Sequence, residues 1–188
     1  MASFTMTHDV ACSPEEFWQG FLDPEFNDEL YNKELRFPKF QVVEQKEENG
    51  KVSRTVDARP YLSLPGPVAK ALGDGFGYRE IGTLDRAKST YEWRWVTSAL
   101  TDKLSVEGTM KIEPAGENRC RRVVTIRIGA KIFGIGGLVE NAAEKSMREG
   151  WDASAAFTNR YAARKRAEAA KLAAPTATPP ASAPRPRS

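Results

Sequence analysis

The sequence predicts an α+β fold: a curved antiparallel sheet wrapped around one long C-terminal helix, with two short helices after the first strand. Three observations carry this. Runs of alternating apolar and polar residues recur from residue 3 to about 133, several joined by hairpin turns. Two helix-start signals follow the first of these runs. A proline-free stretch rich in helix formers runs from Leu138 to about Arg166.

The first strand covers residues 3–10, SFTMTHDV. Phe4, Met6, His8 and Val10 share one face, and Ser3, Thr5, Thr7 and Asp9 the other. Ser13-Pro14-Glu15-Glu16 then supplies a cap, a proline at the first helical position and acids in the first turn. Phe17, Trp18, Phe21 and Leu22 form the apolar face of that helix. Asp23-Pro24-Glu25 repeats the signal, and Phe26, Leu30, Tyr31 and Leu35 follow as a stripe.

The stretch from Phe40 to Leu62 reads as a hairpin turning at Glu48-Asn49-Gly50. Residues 63–74, SLPGPVAKALGD, interrupt the sheet, and Val68–Leu72 can form one or two helical turns. Pro65, Gly66, Pro67 and Gly73 bracket this apolar segment, which reads equally as a gate or as a structured connection. Residues 76–86 are a further strand. In STYEWRWVTS, Tyr91, Trp93 and Trp95 take one face against Glu92 and Arg94. In DKLSVEGTMKIEP the inward set is Leu104, Val106, Met110 and Ile112. In RCRRVVTIRIGAKIF it is Val124, Ile126, Ile128 and Ile132, with a hairpin at residues 115–118 between these last two strands.

The final helix, about 42 Å long at 1.5 Å per residue, must bury an apolar stripe, and the sheet is the surface available to it. Ala142, Ser146, Gly150 and Ser154 fall four apart on one face, with Met147, Trp151, Phe157 and Tyr161 beside them. Glycine in a helix interior costs about 1 kcal/mol against alanine. Position 150 therefore implies either close backbone packing or a need for space.

Between the last strand and this helix lies IFGIGGLVE, residues 132–140. A phosphate-binding loop needs a following parallel strand, and a P-loop ends in Gly-Lys-Ser/Thr. Here Gly137 is followed by Leu138-Val139-Glu140, with no lysine and with an acid where an anion would sit. The glycines turn the chain.

Composition narrows the chemistry. The 188 residues include 28 Lys+Arg and 25 Asp+Glu, a net charge of +3, so the surface is mixed and nucleic acid is not an expected partner. His8 is the single histidine, which excludes a His-rich zinc site or a two-histidine iron site within one chain. No metal and no cofactor is expected. Cys12 and Cys120 lack the C-x-x-C spacing of zinc or redox sites, and the sequence does not establish a disulfide. No secretory leader or membrane span is apparent at the start, so the reading is a cytoplasmic protein. Residues 167–188, rich in Ala and Pro, read as a disordered basic tail after a folded domain of residues 1–166. Arg160, Arg164, Lys165, Arg166, Lys171, Arg185 and Arg187 concentrate positive charge near the C-terminus, and the basic tail is a candidate for weak contact with anionic surfaces.

In this order, four stretches resemble the START, polyketide-cyclase and pollen-allergen (SRPBCC) superfamily: SFTMTHDVACSPEEFWQGFLDPEF; YEWRWV; EGTMKIEP with CRRVVTIRIGAKIFGIGGLVE; and AEKSMREGWDASAAFTNRY. The last two are similar to a bacterial START-like family of unknown function, although the proline of that family's Pro-x-x-Gly-Gly-x-x-Glu turn is missing here. The resemblance covers residues 3–163 and implies the helix-grip fold, with a hydrophobic small molecule, lipid-like or polyketide-like, held between sheet and helix. The implied cavity wall is Phe4, Met6, His8, Tyr78, Tyr91, Trp93, Trp95, Leu104, Val106, Met110, Ile126, Ile128, Met147, Trp151 and Phe157. Each large apolar member taken singly reads as core before ligand contact, since burying it stabilises the fold by about 1.5–3 kcal/mol.

His8 is the candidate acid or base, with Tyr78, Glu80 and Tyr161 as possible polar companions. Carriage without catalysis is the expected function. The alternatives are a cyclase or dehydratase using His8, and a regulatory interaction domain without ligand. Monomer and dimer both remain open.

Overall fold

The computed structural model of the protein describes residues 1–173. Seven strands form one sheet: β1 (Ala2–Val10), β2 (Lys39–Glu48), β3 (Lys51–Arg59), β4 (Tyr78–Asp85), β5 (Thr90–Thr97), β6 (Leu104–Pro114) and β7 (Cys120–Ala130). Their order is β1-β7-β6-β5-β4-β3-β2, and each neighbouring pair is antiparallel. The first strand thus closes onto the last, and consecutive hairpins fill the rest.

Both early helices start as their sequences require. In α1 (Pro14–Leu22), Ser13 Oγ accepts from the Glu16 amide at 3.1 Å and Glu16 accepts from the Ser13 amide at 2.7 Å, a reciprocal capping box. In α2 (Pro24–Asn27), the Asp23 carboxylate accepts from the Phe26 amide at 2.9 Å. α2 then widens into a π-helical segment, Asp28–Glu34, closed by the Leu35 amide donating to the Leu30 carbonyl at 2.9 Å. α3 (Gly66–Leu72) lies in the connection between β3 and β4 and touches α4.

The last helix, α4 (Gly136–Ala173), lies across β1 and β7. It runs past residue 166, where the sequence placed the end of the ordered domain. Residues 167–173 are Ala, Glu, Lys and Leu, which propagate a helix until Pro175 approaches. The remainder of the expected tail lies outside the described residues. The glycine stretch before α4 is a turn: Gly134 has φ +78°, and the Gly136 amide donates to the Ile132 carbonyl at 2.8 Å. Glu140, the acid that argued against a phosphate, accepts from the Ala130 amide at 2.9 Å and ties the helix start to β7.

Four of the basic residues concentrated near the C-terminus are engaged within the fold. Arg160 pairs with Glu34 at 2.7 Å, Arg164 with Glu29 at 2.8 Å and Lys165 with Glu25 at 3.0 Å, joining α4 to α2 and the π-helical segment. Arg166 donates to the Ala11 carbonyl. Each exposed pair contributes only about 0–1 kcal/mol, but together they set the direction of the helix end. Cys12 and Cys120, distant in sequence, are both buried free thiols, and the neighbouring Cys120 together with burial pushes the Cys12 thiol far up.

Glycine matters inside the sheet where aromatic rings lie flat on it. A Cβ at Gly108 would sit 2.4 Å from Cζ2 of Trp93, its partner in register. A Cβ at Gly82 would sit 2.1 Å from the Tyr91 hydroxyl. Gly108→Ala is therefore expected to destabilise the fold by about 1–3 kcal/mol through overpacking, read as a lower midpoint in denaturant unfolding. An unchanged midpoint would show that Trp93 does not need this floor.

Candidate functional site

A cavity of about 400 Å³ lies between the sheet and α4. Its position follows from where the helix sits. Inward side chains of β1 and β7 are covered by α4, whereas those of β4, β5 and β6 extend past it. Tyr78 and Glu80 come from β4, Tyr91, Trp93 and Trp95 from β5, and Leu104, Val106 and Met110 from β6. Val139, Ala143, Ser146, Met147, Gly150, Trp151 and Ser154 supply the helix side. Leu62, Leu64, Val68, Leu72 and Phe76 from the β3–β4 connection close a further side, so the bracketed segment is part of the wall.

Of the expected wall, Tyr78, Tyr91, Trp93, Trp95, Leu104, Val106, Met110, Met147 and Trp151 line the cavity. Phe4, Met6, Ile126 and Ile128 do not. They are buried core residues of β1 and β7, beneath the helix. Phe157 lies further along α4 and packs on Phe26 and Leu30 in a separate cluster, with the Phe26 ring 5.4 Å away. Tyr161 belongs to that second cluster, its ring 5.0 Å from Phe26.

His8 is also outside the lining. Its Nε2 is 2.9 Å from Asp152 Oδ1, and its Nδ1 lies 3.2 Å from Arg122 NH2. Arginine can only donate, so Nδ1 accepts and Nε2–H donates to the carboxylate: a neutral ring. Burial, followed by the Arg122 charge, holds its pKa below the ordinary 6.5, against the pull of Asp152.

Arg122, 1 % exposed, donates to Ser154 Oγ at 2.8 Å and to the Trp151 carbonyl at 2.7 Å, and its guanidinium stands 4.9 Å from the Trp151 ring. Burial pushes it down to about 10. Arg54, 2 % exposed, donates to Asn27 Oδ1 at 2.9 Å and lies 4.4 Å over the Phe21 ring. Sequence reasoning missed both inward arginines, although the signal was present: Arg122 shares the parity of Val124 and Ile126, and Arg54 that of Val52 and Val56.

Glu80 is the main polar group on the sheet side of the cavity. Its Oε1 accepts from the Tyr91 hydroxyl at 2.8 Å and its Oε2 from Trp95 Nε1 at 3.2 Å. The Tyr78 ring stacks on Trp95 at 3.6 Å with a 10° interplanar angle. Burial first, and then the Glu80 charge, pushes the Tyr78 and Tyr91 phenols well up, so both stay protonated. Opposite, the small-residue face of α4 does provide space: a Cβ at Gly150 would meet nothing within 4 Å.

The curved seven-stranded antiparallel sheet, the helix lying on it and the short helices after β1 make a START-like helix-grip fold. Residues 5–162 match the model of DUF2505, described as a protein of unknown function, and the chain belongs to that family. Three solved structures of this fold are similar. Zhui aromatase/cyclase from Streptomyces sp. R1128 has a TM-score of 0.64 at 15% identity over 87% of this chain and 94% of that one. Norcoclaurine synthase from Thalictrum flavum, in complex with dopamine and hydroxybenzaldehyde, has a TM-score of 0.60 at 14% identity over 87% of each chain. A START superfamily protein from Mycobacterium smegmatis has a TM-score of 0.55 at 13% identity, covering 85% of this chain and 98% of that one. No curated protein matches the chain in sequence. Among the described residues, no helix is long and apolar enough to cross a membrane and no cluster of His, Cys, Asp and Glu could hold a metal ion.

The depressed His8 pKa sets a pH dependence. The unfolded chain takes up the histidine proton near 6.5, whereas the folded chain resists it to lower pH. Between those values the unfolded state binds more protons, so stability is full above 6.5 and falls as pH drops through the folded value. Wild type should lose more melting temperature than His8→Gln on acidification below 6.5. Parallel curves for the two proteins would contradict the assignment.

Proposed function

We propose that the protein binds and carries a hydrophobic small molecule in the cavity between β4–β6 and α4. The observation that supports this reading best is the space itself. Protein interiors normally close to crystal-like density, yet about 400 Å³ stays open here beside a helix glycine whose side-chain direction is empty. That volume lies within the usual range for ligand pockets, and an apolar, largely aromatic wall with a few fixed polar groups is the usual composition of such sites. The similarity of fold to an aromatase/cyclase and to norcoclaurine synthase agrees with an aromatic or polyketide-like occupant. Any acid–base chemistry within this cavity falls to a lining carboxylate, Glu80 being the partly buried one with no ion-pair partner among the described residues, rather than to His8, which does not line it.

Native mass spectrometry of the purified full chain, followed by organic extraction, tests the reading: a stoichiometric apolar mass is expected. A bare chain with no thermal shift across a library of lipids and aromatic compounds would overturn it. Gly150→Leu separates binding from folding. It fills the cavity and removes a helix glycine, so stability should rise by about 1 kcal/mol while affinity for an apolar probe falls at least about tenfold. Retained affinity in this variant would place the probe elsewhere.

A further inference from the structure

We infer that the cavity takes an apolar, aromatic ligand bearing a protonated amine, held by the Glu80 carboxylate at the edge of the Tyr78–Trp95 stack. This rests on the reading of the cavity as an apolar ligand site and names the charge of what enters it.

The charge of the wall is one-sided. Among the described residues that line the cavity, none is lysine, arginine or histidine, while Glu34, Glu80 and Glu149 are present. Glu34 is neutralised by Arg160 at 2.7 Å, and Glu149 is exposed. Glu80 differs from both. It is partly buried, has no ion-pair partner among the described residues, and accepts only from two neutral donors, one on each oxygen. A carboxylate offers about four acceptor positions, so about half its capacity remains for a ligand. Neither buried cation lines the cavity or bonds Glu80: Arg54 donates to Asn27 and lies over the Phe21 ring, and Arg122 binds Ser154, the Trp151 carbonyl and His8.

The rings around Glu80 fix where its carboxylate stands. Tyr78 stacks on Trp95 at 3.6 Å, and Trp93 lies 5.6 Å from Trp95. Glu80 and Trp95 are partners in register across β4 and β5, so the carboxylate stands directly beside the indole. An ammonium at this point gains a charge-assisted hydrogen bond to Glu80, whereas a carboxylate ligand would meet Glu80 with no lining cation to offset it. The rest of the wall, Leu104, Val106, Met110 and Met147, accepts the apolar body.

The test uses three probes of one shape and different charge on the full chain at neutral pH: naphthylethylamine, ethylnaphthalene and naphthylacetate, titrated calorimetrically. The amine should bind at least about tenfold more tightly than the neutral probe, as a charge-assisted hydrogen bond would give, and the acid should bind weakest. Glu80→Gln should remove the preference for the amine and leave ethylnaphthalene unchanged. The wild-type ranking needs no variant, so it decides the question even if Glu80→Gln fails to fold. Equal or tighter binding of the neutral or acidic probe overturns the amine while leaving the apolar cavity intact. So does a preference that survives Glu80→Gln. Absence of binding by all three overturns both this inference and the function on which it rests.

Discussion

The seat of the long helix depends on one buried cation. Arg122 is inward-facing on β7 and reaches α4 at the Ser154 hydroxyl and the Trp151 carbonyl, while His8 of β1 bridges it to Asp152. Two edge-side strands and the helix are thereby held at one point by directional bonds. Apolar packing alone has no such direction. A guanidinium taken out of water is costly unless its donors are used, and two of the three hydrogen bonds this one makes exist only if α4 lies over β1 and β7. The cavity is the consequence. A single helix is too narrow to cover seven strands, so the aromatic rows of β4 and β5 remain facing open space.

The shape of that space is set by residues without side chains. Gly82 and Gly108 let Tyr91 and Trp93 lie against the sheet, where larger residues would force them upward into the cavity. Gly150 leaves the helix side hollow. These positions act through volume, as the nearby Ser146 does. Glu80 then supplies a fixed polar point on an otherwise aromatic floor, oriented by a phenol and an indole that stay neutral.

Much of the site was legible before any coordinates. Strand alternation put Tyr91, Trp93 and Trp95 on one face, and the spacing of Ser146, Gly150 and Ser154 marked a small-residue helix face that fitted either close packing or a hollow. What misled was treating all inward residues as equivalent. Phe4, Met6, Ile126 and Ile128 have the same parity and the same chemistry as the true lining, and no local pattern separates them. His8 was singled out for being a lone histidine, although its function here is to connect Arg122 to Asp152.

The sequence by itself determined the elements and their faces, because periodicity, capping and turn chemistry act over a few residues. Ser13 and Asp23 start helices, Asn49-Gly50 turns a hairpin, and Gly134 turns the chain into α4 in any context that lets them. Only the tertiary structure decided which strands the helix would cover, and therefore which apolar residues became core and which became wall. That choice rests on contacts between residues more than a hundred positions apart, such as His8 with Asp152 and Arg122. It also rests on the finite width of one helix on a wide sheet, which leaves the cavity where coverage ends.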